Sequence, residues 1–427
     1  MNLTSSPQKG VAINTVVYIV YYTMLLLLTF MLTTPNAMYG MAVRYAYMFA
    51  VIVPLFFNKS YAAFVLPLFC GISQTSFVSF MPTTSIYFLI IVGALSVMQM
   101  RMKYREVLFL GWILYIMCIE MISPIPHFEC VIWGLTALLY SSFVNTKLDI
   151  KKMGFAFSLI SLVLGILFII YFDEFSRAYG AGEDDIETSG WINTNIFGGV
   201  VGCGMVASVF MLVSSKEMSL SRWHKLLCVI VVVISIIALV LNASRGAIVA
   251  SALSSAMLLF SSKTQMRYRL LSFLGIVLLI IILYRNGYFE LLEMRVLGEE
   301  TTSTAGGRTE IWAKKLGAFV DLPIYQQIFG IGYDECVNLG IYFDTHNDFV
   351  TALCAYGYIG FFSFTTLFIM PIFIAQKGRR VIVAELLLFL ALESAVLSPI
   401  FRGYFILIIF YVMIIKYAML TNDEDAI

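Results

Sequence analysis

Charge is what this sequence has least of. Only 12% of its 427 residues are Asp, Glu, Lys or Arg, against 60% hydrophobic, and the mean hydropathy is +0.90. A soluble domain carries about 25% charged residues, so a chain with half that share cannot cover a water-exposed surface. The apolar stretches are long enough for helices rather than barrel strands, which points to an all-α integral membrane protein. Other shortages exclude other classes. The seven cysteines (Cys70, Cys118, Cys130, Cys203, Cys228, Cys336, Cys354) form no CxxC pair. Six lie in or beside apolar runs, where cysteine packs as a small hydrophobe, and Cys336 stands alone in its loop. Neither a disulfide framework nor a metal site is expected. A net charge of +1 carries no signal for nucleic acid. No small-residue cleavage site follows the first apolar run, near Asn14; Pro35 and Asn36 make a loop there instead, so the run reads as a first span and not as a leader.

What is present is a succession of spans. Fourteen fit the hydropathy, at about 14–34, 39–57, 61–80, 84–100, 106–122, 128–145, 153–172, 193–214, 226–242, 246–262, 270–284, 347–374, 381–398 and 403–419. Each can cross a hydrocarbon core of roughly 30 Å at about 1.5 Å per residue. The loops alternate in charge. One side collects Lys9, Lys59, Arg101, Lys103, Arg105, Lys147, Lys151, Lys152, Lys216, Arg222, Lys225, Lys263, Arg267, Arg269, Lys377, Arg379 and Arg380. The positive-inside rule places that side, and with it both termini, in the cytoplasm. Four sections follow: N-terminal transmembrane helices over 1–192, further ones with the Arg245 turn over 193–284, a large periplasmic loop over 285–346, and C-terminal transmembrane helices over 347–427.

Two outer segments exceed the 12–15 residues beyond which loops are usually functional or disordered. Asp173–Trp191 is acidic, and its run Glu183-Asp184-Asp185 reads as a solvated loop. Arg285–Thr345 has internal order. "TEIWAKKLGAFV" (309–320) places Ile311, Trp312, Leu316, Phe319 and Val320 on one helical face, with Thr309 as N-cap after Gly306-Gly307. "FGIGY" (329–333) is a glycine turn. The segment is expected to be a small amphipathic cap lying on the outer surface.

The outward basic residues are Arg44, Arg177, Arg245, Arg285, Arg295, Arg308, Lys314, Lys315 and Arg402. Arginine dominates, and its planar fork matches phosphate bidentately. Arg245 sits in a tight turn between two spans, "LNASRGAIV". Snorkelling to headgroups explains such a residue blandly; Gly246, which lets backbone approach a ligand, favours a site. Arg308 follows two glycines and opens a helix, whose N-terminus attracts anions. Arg285 and Arg295 are further candidate substrate contacts, whereas Lys314 and Lys315 line the polar side of a surface helix. Histidine is the other rarity, with three in the chain. His346 opens a span in "FDTHNDFV". Asp344 or Thr345 is expected to cap that helix, Asn347 and Asp348 fall in its first turn, and Asp344 or Asp348 can orient the ring. An imidazole there can take a proton at neutral pH. His127 and His224 read as structural or solvated. Glu120, Glu393 and Arg402 lie near span ends, and Glu393 can pair with Arg402.

"NASRGAIV", "GGRTEIW", "FGIGY" and "THNDFVTALCAYGYIGFF" follow one another in that order within Trp191–Phe362. This set resembles the O-antigen polymerase and O-antigen ligase superfamily of bacterial envelope glycosyltransferases. The resemblance implies a GT-C-like fold in the inner membrane with a periplasmic active site. It implies glycosyl transfer from an undecaprenyl-pyrophosphate-linked glycan to a sugar hydroxyl, with no nucleotide sugar, metal or cofactor. Arg245 and Arg308 would hold the pyrophosphate and His346 would assist the attacking hydroxyl. Trp312, on the segment that would shape the acceptor cleft, Asp344 and Asn347 join the candidate substrate contacts. Beyond the donor, the expected partners are membrane lipids and a chain-length regulator in the inner membrane. The expected activity is that of a polymerase; a ligase that delivers polymer to lipid A-core is the alternative within the superfamily. A transporter or flippase is the alternative outside it, but no inverted repeat is evident and the unusual residues gather at the surface rather than the midplane.

Overall fold

A computed structural model describes Phe64, Pro67, Phe289 and residues 104–141, 144–172, 194–261, 266–287, 308–397, 400–401 and 405–420. Among them the secondary structure is helical, with no strand. The helices are α1 (Tyr104–Ile122), α2 (Glu129–Ser141), α3 (Lys147–Ile170), α4 (Thr194–Val213), α5 (Arg222–Asn242), α6 (Arg245–Phe260) and α7 (Met266–Arg285). They continue with α8 (Arg308–Val320), α9 (Ile324–Phe329), α10 (Tyr333–Asn338), α11 (Asp348–Ile374), α12 (Arg380–Leu397) and α13 (Phe405–Met419). Ten of the fourteen predicted spans coincide with α1–α7 and α11–α13. The first four, and the acidic Asp173–Trp191 loop, lie outside the described residues apart from Phe64 and Pro67. Four helices among the described residues are long and apolar enough to cross a membrane: Lys147–Ile170, Asn195–Val213, Arg222–Asn242 and Asp348–Ile374. α3 starts six residues before its predicted span. Thr146 and Asp149 form a reciprocal capping box, with Asp149 N–H donating to Thr146 Oγ1 at 3.2 Å and Thr146 N–H to Asp149 Oδ2 at 3.0 Å, so the helix takes in Lys147, Lys151 and Lys152.

α4 is the central post, packed by α3, α5 and α6, while α12 packs on α6 and α11. Small residues set the spacing. A Cβ on Gly204 would lie 2.2 Å from the Cβ of Ser161 and 2.5 Å from the Phe157 carbonyl, so α3 and α4 approach backbone to backbone. Ser158 and Ser208 share a 2.7 Å hydrogen bond, as do Ser161 and Ser235. Without a hydrophobic drive between helices in lipid, close packing and interhelical hydrogen bonds take over this role. At the end of the bundle opposite His346, Arg379 Nε donates to Glu217 Oε1 at 2.7 Å and Tyr417 donates to Glu217 Oε2 at 3.0 Å. That cluster ties the 214–220 turn to the α11–α12 turn and the end of α13.

The segment α8–α10 does more than lie on the surface. α11 is interrupted at Gly357, which takes φ +67°. The break frees carbonyls that a continuous helix would satisfy, and the "FGIGY" turn supplies their partners. Ile331 and Gly332 N–H both donate to Ala355 O at 2.9 Å. The Tyr115 hydroxyl lies between Phe329 O at 2.8 Å and Tyr356 O at 2.9 Å. A Cβ on Gly357 would lie 2.5 Å from Ile328 O, so only glycine permits both the backbone angle and the approach. Gly357 lies nine residues into α11, about 13 Å along its axis. The cap therefore drives a wedge into the bundle. Glu120, fully buried near the end of α1, holds the wedge from the other side: Oε1 accepts Tyr333 N–H at 2.9 Å and Oε2 accepts His127 N–H at 2.7 Å. The His127 ring stacks on Tyr333 at 4.3 Å.

Two expectations for α8 need correction. Of the predicted stripe, Phe319 is buried and Ile311 and Trp312 are half-buried, but Leu316 and Val320 are exposed and Lys315 joins the buried face instead. Lys315 is not on the polar side. Its ammonium is fully buried and donates to Cys336 O at 2.6 Å, Val337 O at 3.0 Å, Leu339 O at 3.4 Å and Ile341 O at 3.2 Å. The reason is the C-terminus of α10, whose orphan carbonyls need a donor where water does not reach. Burial lowers the Lys315 pKa. Lys314 behaves as expected, exposed and paired with Glu310 at 2.7 Å. Cys336 is likewise not alone: it is buried, and contact with the Cys354 thiol followed by burial pushes its own thiol up. Replacing Lys315 by Ala should leave a buried set of carbonyls unsatisfied and cost about 2 kcal/mol or more. Hydrogen exchange across residues 308–343 should then accelerate, while Lys314→Ala leaves it unchanged; equal behaviour of the two variants would contradict the clamp.

Candidate functional site

The seam Asp344–Asp348 connects the cap to α11, and every side chain in it has a defined task. Asn347 is the N-cap: its Oδ1 accepts Phe349 N–H at 2.9 Å and Val350 N–H at 3.1 Å. The cap is thus neither Asp344 nor Thr345, because the helix starts later, two residues past Thr345. That turn puts His346 in the left-handed region at φ +47°, a conformation costing a non-glycine residue roughly 1 kcal/mol and found preferentially at functional sites. Thr345 holds it from both sides. Its hydroxyl donates to Asn347 O at 3.2 Å and pairs closely with the Thr351 hydroxyl, and its carbonyl accepts the Trp312 indole N–H at 2.7 Å. Of the two acids expected to orient the ring, Asp344 is the one beside it, with Oδ2 3.9 Å from His346 Nδ1, outside hydrogen-bond distance. Asp344 Oδ1 is 3.4 Å from the Tyr333 hydroxyl. The His346 side chain is 24% exposed, enough for a reactant to reach it.

Asp348 turns away. It is fully buried and accepts Ile400 N–H at 3.2 Å and Phe401 N–H at 3.3 Å, latching the α12–α13 connection to the start of α11. Phe401 in turn packs on Tyr356 at 5.3 Å, Phe364 at 5.5 Å and Trp112 at 6.3 Å. This aromatic layer is the floor beneath the seam.

Arg245 begins α6, exposed, after a turn in which Ala243 takes φ +51°. Ser244, the N-cap, makes no side-chain bond to its own helix; its hydroxyl donates to Asn195 Oδ1 at 3.2 Å. The first amide groups of α6 are therefore not capped by that side chain, which suits an anion. Gly246 has a different role from the one expected. A Cβ there would lie 3.0 Å from Val396, so the glycine admits α12 rather than a ligand. Contact with Val396 brings the Arg245 turn to the end of α12, and the Asp348 latch brings the connection that follows α12 to the seam. Arg308 begins α8, half-buried, one turn before Trp312 and on the same helical side.

The structure thus joins Trp312, Asp344, His346 and Asn347 in one cluster, sets Arg308 a turn away on α8, and connects Arg245 through α12. Arg285, exposed at the end of α7, is not drawn into it. Arg295 and Arg402 lie outside the described residues. Glu393, expected to pair with Arg402, is buried with neither carboxylate oxygen hydrogen-bonded. Sequence reasoning named Thr345 only as a cap and missed its bracing role, along with Tyr333 and the latching role of Asp348. A signal existed for Lys315, since Trp312, Lys315 and Phe319 fall at helical spacing.

No curated protein matches the chain. Residues 230–365 match the family model Wzy_C, described as O-antigen ligase. The match covers roughly a third of the chain, begins within α5, ends within α11, and contains Arg245, Arg308, Trp312 and the whole seam. Its members are glycosyltransferase-like enzymes. The apolar helices mark the chain as a multi-pass membrane protein, and residues 230–365 are similar to the O-antigen ligase family.

Proposed function

We propose that the protein is an O-antigen polymerase of the bacterial inner membrane, a glycosyltransferase that joins undecaprenyl-pyrophosphate-linked repeat units at the periplasmic face. The observation that carries this reading is that one family match encloses both arginine turns and the strained His346 seam. The distribution of Lys and Arg supports fourteen spans with cytoplasmic termini and an outward cap, and the family resemblance implies a GT-C-like bundle. A chain-length regulator in the same membrane is the expected protein partner.

In this mechanism the oxygen of an acceptor sugar hydroxyl attacks the anomeric carbon of the donor. The bond from that carbon to the pyrophosphate oxygen breaks, and its electron pair leaves with the pyrophosphate. Arg245 with the uncapped amides of α6, and Arg308 at the start of α8, stabilise the charge that develops there. His346 takes the proton of the attacking hydroxyl; its Nδ1 edge faces Asp344, so the Nε2 edge serves as base. Trp312 and Asn347 shape the acceptor side. Arg285 and Arg295 would meet more distant parts of the donor.

A second reading, ligase, is favoured by the description of the matched family. The two share a donor and differ in acceptor: another lipid-linked repeat, or lipid A-core.

Replacing His346 by Ala should lower transfer by about 10²–10⁴-fold. Arg245→Ala and Arg308→Ala each remove a charged hydrogen bond to the leaving group, a loss of about 10- to 100-fold. Laddered surface polysaccharide on gels, at normal protein levels, reports all three, and full-length ladders in the His346 variant would refute its role as base. Deleting the gene separates the acceptors: a single repeat on core is expected for a lost polymerase, and bare core with accumulating lipid-linked polymer would establish the ligase instead.

A further inference from the structure

Two cysteines far apart in the cap and the bundle come into contact beside the seam. Cys336 lies on α10 and Cys354 in the second turn of α11. Both are fully buried, and their thiols touch. One residue pins the backbones that carry them. Gly332 N–H donates to Ala355 O at 2.9 Å, and Gly332 O accepts Cys336 N–H at 3.1 Å. Lys315 closes the arrangement, with its ammonium on Cys336 O at 2.6 Å and near both sulfurs.

A buried cysteine commonly packs as a small hydrophobe, and two thiols side by side need no bond to do so. Here three features favour one. An S–S bond is about 2.0 Å long and needs Cα atoms about 4.4–6.8 Å apart; backbone hydrogen bonds that do not involve sulfur already hold this pair together. The segment between the two cysteines, residues 337–353, contains the whole seam, with His346 at φ +47°. Such a backbone angle persists where the surrounding structure over-determines it, and a covalent closure of that segment does this. Finally, the loop charges place the cap on the outer side of the membrane, where thiols are oxidised.

We propose that Cys336 and Cys354 are joined by a disulfide in the native protein, which closes a covalent loop around the His346 seam; the inference rests on the outward placement of the cap proposed above. The oxidant is a dithiol–disulfide oxidoreductase of the cell envelope. One cysteine thiolate attacks the disulfide of that enzyme and forms a mixed disulfide. The second thiolate attacks the sulfur of the first, the mixed bond breaks, and the oxidoreductase leaves as a dithiol carrying the two electrons and two protons. Exchange needs an accessible thiolate. In the packed cap neither sulfur is exposed, and contact with Cys354 followed by burial pushes the Cys336 thiol up. The bond therefore forms before α10 docks on α11, and burial afterwards shields it from reductants.

The test is thiol mapping on the full chain. Cells are quenched in trichloroacetic acid, the chain is denatured, and free thiols are labelled with a maleimide before and after reduction. In wild type, Cys336 and Cys354 should take label only after reduction, and an unreduced digest should contain their two peptides linked and lighter by two hydrogens. Before reduction, Cys336→Ser and Cys354→Ser should each carry one label more than wild type, because each frees its partner. Cys228→Ser, on α5, should carry no such extra label. Label on both Cys336 and Cys354 in unreduced wild type overturns the disulfide. A membrane-impermeant maleimide applied to intact spheroplasts then shows which premise failed, through Lys314→Cys on the exposed side of α8. If that position labels above the wild-type background, the pairing alone is wrong and the transfer reading stands. If it does not label, the outward placement has failed, and the disulfide with it.

Discussion

A helix that breaks inside a bilayer must find partners for the backbone carbonyls it releases, because lipid offers none. α11 breaks at Gly357, and the rest of the site depends on how that debt of hydrogen bonds is met. The carbonyls of Ala355 and Tyr356 are taken by Ile331, Gly332 and Tyr115. The turn that supplies two of these donors is thereby fixed about 13 Å below the start of α11. Once it is fixed, α10 follows, Glu120 receives Tyr333, and Lys315 closes the end of α10. α8 is then held where Trp312 reaches Thr345, and His346 is held in a backbone conformation that it would not adopt alone. A local rule about buried carbonyls thus bears on the position of a histidine eleven residues before the break.

The seam gathers polar groups at one end of an apolar bundle, and almost all of them are spent on backbone. Asn347 caps, Thr345 braces, Asp348 latches. Arg245 is exposed at the start of α6, Arg308 is half-buried at the start of α8, and the His346 side chain is 24% exposed. Charges at such a boundary act in a medium of lower dielectric than water, where each is worth more to a developing anion. The uncapped amides of α6 add to the same field.

The described apolar helices were legible because hydropathy is a sum over many residues, and small errors at the ends do not change it. The helices α4 and α11 start within a residue of expectation. His346 and Arg308 were legible because charge and imidazole are scarce in so apolar a chain. Other features depended on partners distant in sequence. Nothing adjacent to Lys315 announces that α10 ends over it, so a lysine beside Lys314 reads as another solvated charge. Gly246 looks like room for a ligand until Val396, far along the chain, occupies that room. Asp348 looks like a partner for the neighbouring histidine until the amides of Ile400 and Phe401 claim it. In each case a tertiary contact decided between two local readings of equal merit.

The central claim is that the two arginine turns and the His346 seam serve one pyrophosphate. The most direct measurement is a cryo-electron microscopy structure of the full chain with undecaprenyl pyrophosphate bound in nanodiscs. The account predicts density for the pyrophosphate within hydrogen-bonding distance of Arg245 and Arg308, with its ester oxygen facing His346. Density for the pyrophosphate at another surface, such as beside Arg285 at the end of α7, with the seam empty, would contradict it.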